Sequence, residues 1–122
     1  FTWNYILLYI GCIFWTLAYD TIYAYQDIED DIKNNIKSSA VFLNNKGKKF
    51  VKICYLVFFL IIGYLSFKTN SNYYSLVVII VLIFAINHLM NKWDPSSKNS
   101  CNYYFRFNNV IGLFCFLFLL IF

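Results

Sequence analysis

Hydrophobic positions along the chain gather into four long runs parted by short polar stretches. The first occupies residues 1–19, FTWNYILLYIGCIFWTLAY, and the second residues 50–67, FVKICYLVFFLIIGYLSF. The third covers residues 73–89. The fourth covers residues 110–122, with residues 103–107 leading into it. A membrane-crossing helix needs about twenty mostly apolar residues. The first three runs come close to that length, and the fourth reaches it only together with its lead-in. Four transmembrane helices are therefore expected. Trp3, Tyr5 and Trp15 suit the aromatic belts of a membrane interface. Asn4, a polar exception, is expected to bond to another helix, and Lys52 to snorkel from the end of the second run.

The connections follow from turn chemistry. No proline or glycine lies between Cys12 and Lys46, so the first helix is free to run unbroken past Tyr19. Residues 45–47, Asn-Lys-Gly, read as a loop, as do residues 68–72. Asp94-Pro95-Ser96 marks a turn inside the polar stretch 92–102. Asn108 and Asn109 read as helix-start residues, and His88, beside Asn87, as a capping or packing histidine.

Composition agrees with a polytopic all-α membrane bundle. Hydrophobic residues make up 61% of the 122 and charged residues 13%, about half the charged share of a soluble globular domain. The net charge of +4 is spread between the apolar runs, so a basic, solvated nucleic-acid surface is excluded. The four cysteines lie far apart in sequence, three of them in apolar runs, and read as small buried residues, not zinc ligands. Lys33, Lys37, Lys46, Lys48, Lys49, Lys52, Lys92, Lys98 and Arg106 fall on one side of the four crossings, and Lys68 alone on the other. The positive-inside rule puts the nine on the cytoplasmic or mitochondrial-matrix side of the membrane. The chain opens inside an apolar run without a charged leader, so it is expected to be the C-terminal portion of a longer protein, not to carry a signal peptide.

One stretch breaks the apolar pattern. Residues 19–40, YDTIYAYQDIEDDIKNNIKSSA, hold Asp20, Asp27, Glu29, Asp30 and Asp31, five of the six acids. On a continuous helix at about 100° per residue, Asp20, Asp27 and Asp31 share one stripe and Glu29 points away. Like charges so close repel one another, and a divalent cation relieves them. Mg²⁺ takes one or two carboxylates plus waters and substrate phosphate oxygens, which the Asp27/Asp31 pair suits, with Lys33 and Lys37 within reach of phosphate. A solvated helix extension is the competing reading of the same residues.

The same string resembles the second aspartate-rich motif of the UbiA superfamily of intramembrane prenyltransferases, in particular the branch that prenylates 4-hydroxybenzoate in ubiquinone biosynthesis. That pattern is close to Y-D-x-x-Y-A-x-x-D-x-x-D-D-x-x-x-G-x-K-S. Tyr19-Asp20, Tyr23-Ala24, Asp27, Asp30-Asp31 and Lys37-Ser38 match it, and Asn35 stands where the family usually has glycine. Residues 101–112, with Phe-Arg and Asn-Asn-x-x-Gly, resemble the lead-in to the family's final helix.

The resemblance implies the last four helices of a nine-helix bundle forming a single transmembrane domain, with residues 1–122 as its C-terminal part. It implies a polyprenyl diphosphate donor, an aromatic acceptor such as 4-hydroxybenzoate and Mg²⁺ as cofactor. It implies metal ligation by Asp27, Asp31 and Asp20, a catalytic set of Asp27, Asp31 and Tyr23, and diphosphate contacts from Lys33, Lys37 and Ser38. Tyr23 would shield an allylic cation with its ring face. The expected setting is a mitochondrial or bacterial inner membrane. The family's first acidic motif lies upstream of these residues, so this segment is expected to be inactive alone. Two rivals from other classes are an ion-binding transporter, which would want further charges inside the spans, and a non-catalytic membrane fragment.

Overall fold

The computed structural model describes residues 2–121. The described residues are mostly helical, with no strand among them. Six α-helices follow in order: α1 (Trp3–Ala24), α2 (Ile28–Lys33), α3 (Ser39–Leu43), α4 (Gly47–Asn70), α5 (Tyr73–Lys92) and α6 (Lys98–Ile121). Short 3₁₀ turns at Tyr25–Asp27 and Asn44–Lys46 join α1 to α2 and α3 to α4. Four helical stretches are long and apolar enough to cross a membrane: Trp3–Lys33, Ser39–Asn70, Tyr73–Lys92 and Lys98–Ile121. The protein is a multi-pass membrane protein, as the run lengths require.

Named contacts fix the packing. Asn4 meets Lys68, Trp15 stacks on Phe58, and Tyr25 reaches Asn44, so α1 and α4 run antiparallel. Phe67 packs on Tyr73 at one end of the α4–α5 pair, and Lys48 reaches Asn91 at the other. Trp15 bonds Asn108 and Tyr19 touches Phe105, so α6 also runs against α1. The core sits around α4, with Val51, Cys54, Tyr55, Phe58, Phe59 and Ile62 buried against Ala18 and Ile22 of α1 and Ile79 and Ile86 of α5. Between like-apolar helices in lipid, close packing replaces the hydrophobic drive. Gly63 permits that approach, since a Cβ there would sit 3.1 Å from Ile79. The outward faces stay apolar: Phe84 is 71% exposed and Leu120 67%, a surface suited to lipid or to further helices and not to water.

Several sequence expectations need correction. The first helix does not continue unbroken, because the 3₁₀ turn at Tyr25–Asp27 intervenes before α2. Residues 45–47 are not an open loop, since Asn45 and Lys46 lie in a 3₁₀ turn and Gly47 opens α4. Asn108 and Asn109 are not at a helix start, because α6 begins ten residues earlier at Lys98. Trp15 is half-buried, stacked on Phe58 and bonded to Asn108. The Lys52 ammonium donates to the side-chain oxygen of Asn91 at the end of α5. Asn4 does bond to another helix, accepting from Lys68 Nζ at 3.2 Å, and the last helix does take in its lead-in.

Candidate functional site

The acidic stretch hangs from the end of α1 and is held by groups on both of its flanks. Upstream, Tyr25 is 4% exposed and opens the 3₁₀ turn. Its hydroxyl donates to the Asn44 carbonyl at 2.5 Å. Its ring stands edge-on to the fully buried Trp93, 5.6 Å between centroids at 85°. Gly47 lies against the same ring, and a Cβ there would overlap the hydroxyl end of Tyr25. Residues from three connections thus converge on the turn that carries Asp27.

Downstream, α2 ends in a Schellman motif. The Ile36 N–H donates to the Asp31 carbonyl at 2.8 Å and the Asn35 N–H to the Ile32 carbonyl at 3.3 Å, the two bonds that define this C-cap. Asn35 has φ 56°, the left-handed conformation that glycine adopts most readily and asparagine tolerates. Asn35 therefore fills the backbone role that glycine most readily takes. The chain then runs into Ser38, which caps α3: its hydroxyl accepts from the Val41 N–H at 3.3 Å.

Between these fixings stand the carboxylates. Asp20, Asp27, Glu29 and Asp30 are exposed and Asp31 is partly buried. Among the described residues, no hydrogen bond or ion pair occupies the Asp27 or Asp31 side chain. Asp27 sits at the position before α2 where a side chain could cap the helix, yet it makes no capping bond, so its oxygens stay available.

The three acids of the expected stripe do not close into one metal site. A 3₁₀ turn winds by about 120° per residue, not 100°, so its three residues turn Asp27 and Asp31 by about 60° relative to Asp20. Among the described residues, no three His, Cys, Asp or Glu side chains group closely enough to hold a metal ion. What remains is a pair, Asp27 and Asp31, one turn apart. That donor set fits Mg²⁺, which takes one or two carboxylates and completes its shell with water and phosphate oxygens. It does not fit an all-protein cage.

The other expected site residues are placed as follows. Tyr23 is half-exposed, and its ring lies 4.9 Å from that of Phe105 on α6. Lys33 closes α2 and Lys37 lies in the extended segment after it, both exposed. Ser38 has spent one lone pair on its cap, though its O–H can still donate.

Three residues of interest escaped the sequence reading. Gln26, next to Asp27, holds a buried amide nitrogen without an acceptor among the described residues. Gly47 and Trp93 hold Tyr25, and only the converging fold reveals them.

A hollow of about 410 Å³ opens between α1 and α6, beside this stretch. Trp15, Tyr19, Phe105, Arg106, Asn108 and Asn109 line it. Asn108 ties three helices together: its Oδ1 accepts from Trp15 Nε1 at 2.7 Å and from the Tyr55 hydroxyl at 3.1 Å.

Comparison with known proteins follows the same outline. The 4-hydroxybenzoate octaprenyltransferase of Francisella tularensis subsp. mediasiatica (strain FSC147) is 39% identical over 115 residues, covering 91% of this chain. That of Histophilus somni (strain 2336) is 35% identical over 114 residues, again covering 91% of this chain. The chain spans 39% of the length of each of these relatives. No solved structure matches it. The model of the UbiA prenyltransferase family matches residues 1–120, and the chain belongs to the UbiA prenyltransferase family.

Proposed function

We propose that this segment supplies the second acidic half-site of an Mg²⁺-dependent enzyme that moves a polyprenyl group from polyprenyl diphosphate to an aromatic acceptor, 4-hydroxybenzoate or a close analogue. The observation that carries the reading is the Asp27/Asp31 pair, exposed or partly so, without partners among the described residues, and fixed at both ends, in a chain that matches the family over residues 1–120. The names of the two relatives, both 4-hydroxybenzoate octaprenyltransferases, support the substrate class.

In this reading Asp27 and Asp31 would hold Mg²⁺, which when bound would supply charge neutralisation for the diphosphate. Lys33 and Lys37 contact phosphate oxygens as point charges, and the Ser38 hydroxyl donates to another. The allylic C–O bond breaks and pyrophosphate leaves with the bonding pair. A ring carbon of the acceptor attacks the allylic carbon, and the ring then loses the proton from that carbon. Tyr23, braced by Phe105, offers its ring face to the allylic cation. Asp20 enters through the motif match, at the last turns of α1. The side of the membrane is the one that collects the lysines, cytoplasmic in a bacterial cell.

The test is Asp27→Ala and Asp31→Ala in the full-length protein. Each is expected to abolish Mg²⁺-dependent prenyl transfer while membrane insertion and melting in detergent stay as in the wild type. Retained transfer in either variant refutes the metal assignment.

A further inference from the structure

The hollow between α1 and α6 has a chemistry of its own. The Trp15 indole nitrogen can only donate, so the Asn108 atom facing it at 2.7 Å is the carbonyl oxygen, and the amide orientation is fixed. Tyr55 donates to that oxygen as well. With its acceptor doubly engaged toward α1 and α4, Asn108 has only its NH₂ group left to offer. That nitrogen is not among the buried polar atoms lacking a partner, and the residue lines the hollow. Asn109 and Arg106 line it too. Arg106 is the chain's one arginine, and no described residue pairs with its guanidinium. Trp15, Tyr19 and Phe105 supply flat aromatic walls, and Tyr23, on the same helix as Tyr19, packs on Phe105 at a tilt of 54°.

We propose that this hollow is an oxyanion subsite, in which Arg106, Asn109 and the locked amide of Asn108 hold the carboxylate of a planar aromatic acceptor between Trp15, Tyr19 and Phe105. A guanidinium matches a carboxylate or a phosphate with paired N–H donors, and aromatic walls favour an aromatic carboxylate over a bare phosphate. The proposal rests on the prenyl-transfer reading for its ligand class, and it deepens that reading by naming where the acceptor's acid end sits. Diphosphate is the other source of the same chemistry, and the experiment separates the two.

The test needs no turnover. Binding of benzoate and of inorganic pyrophosphate to the detergent-solubilised full-length protein is titrated by calorimetry for the wild type, Asn108→Asp and Arg106→Gln. Asn108→Asp keeps an oxygen for Trp15 and Tyr55 but replaces the amide donors with a second oxygen. Arg106→Gln changes an exposed side chain and decides the matter if the buried substitution unfolds the protein. Benzoate affinity is expected to fall on the order of tenfold to a hundredfold, the worth of a hydrogen bond to a charged group, with pyrophosphate unaffected. Pyrophosphate weakened in place of benzoate keeps the oxyanion site and assigns it to the diphosphate. Wild-type affinity for both ligands in the folded variants, or no binding of either by the wild type, overturns the subsite. A wild type that binds benzoate but transfers no prenyl group to any aromatic acid refutes the prenyl-transfer reading and leaves the subsite standing.

Discussion

Gly47→Ala isolates how the fold holds the acidic stretch. The added Cβ would overlap the hydroxyl end of Tyr25, and Tyr25 has no room to retreat, since it is 4% exposed and stands against Trp93. On exposed helix positions alanine gains at most about 1 kcal/mol over glycine. Overpacking a filled site costs about 1–3 kcal/mol. Displacing the ring also loses the bond from the Tyr25 hydroxyl to the Asn44 carbonyl, about 1 kcal/mol. The sum is a net loss of about 1–3 kcal/mol, so the sign is set by packing and not by helix propensity. Tyr25 begins the turn that ends at Asp27, so the variant is expected to lose prenyl transfer as well as stability. Thermal melting of the full-length protein in detergent reads the first effect and a transfer assay the second. In a Tyr25→Ala background the clash is gone, and Gly47→Ala is expected to be neutral or slightly stabilising. A Gly47→Ala protein that melts and turns over like the wild type, or an equal penalty in both backgrounds, refutes the reasoning.

Other expectations follow from the same flanks. Asn35→Gly is expected to raise stability by a few tenths to about 1 kcal/mol, and Asn35→Val to lower it by about 1–2 kcal/mol, because the left-handed φ of 56° suits glycine and strains a β-branched residue; melting in detergent checks both. In the turn after α5, the Ser96 hydroxyl and then the Ser96 N–H, at 2.6 and 3.0 Å, hold the Asp94 carboxyl below the usual carboxylate range. A depressed value adds stability that is present above the unfolded pKa and lost as pH falls through the folded one. Ser96→Ala is expected to move the Asp94 titration up toward the ordinary value, as read by NMR of labelled aspartate carboxyls; an unmoved titration would place the cause elsewhere.

What the sequence made legible and what it hid divide by range. The spans were readable because burial in lipid demands length and apolarity from each run independently, and α1, α4, α5 and α6 lie where the four runs fall. Asp27 and Asp31 stood out in the sequence because acids beside apolar runs are costly. The 3₁₀ turn before Asp27 was not, because what holds it lies in Asn44, Gly47 and Trp93, far along the chain. Extrapolating one helical phase across it left out the extra winding of that turn, about 60° over its three residues. Asn108 was misread for the same reason: asparagine is a common helix-start residue, and its partners Trp15 and Tyr55 lie 93 and 53 residues away.

The acidic pair has to be held still by something other than its own burial. α2 is six residues long and has no buried residue, so in isolation it would not stay helical. It is held instead at both ends, by the buried Tyr25 before Asp27 and by the Schellman bonds that use the Asp31 carbonyl itself. The restraints act on backbone and on a neighbouring ring, and they consume no carboxylate oxygen. A site that must meet a cation and a diphosphate needs this division, because every hydrogen bond spent on positioning a carboxylate is one withheld from the metal or from its waters. Neutral fixings around charged acids that no described residue pairs with are therefore the arrangement expected of a preorganised half-site. A solvated helix extension would have no need of Tyr25, Gly47 and Trp93 closing on the turn that leads into it.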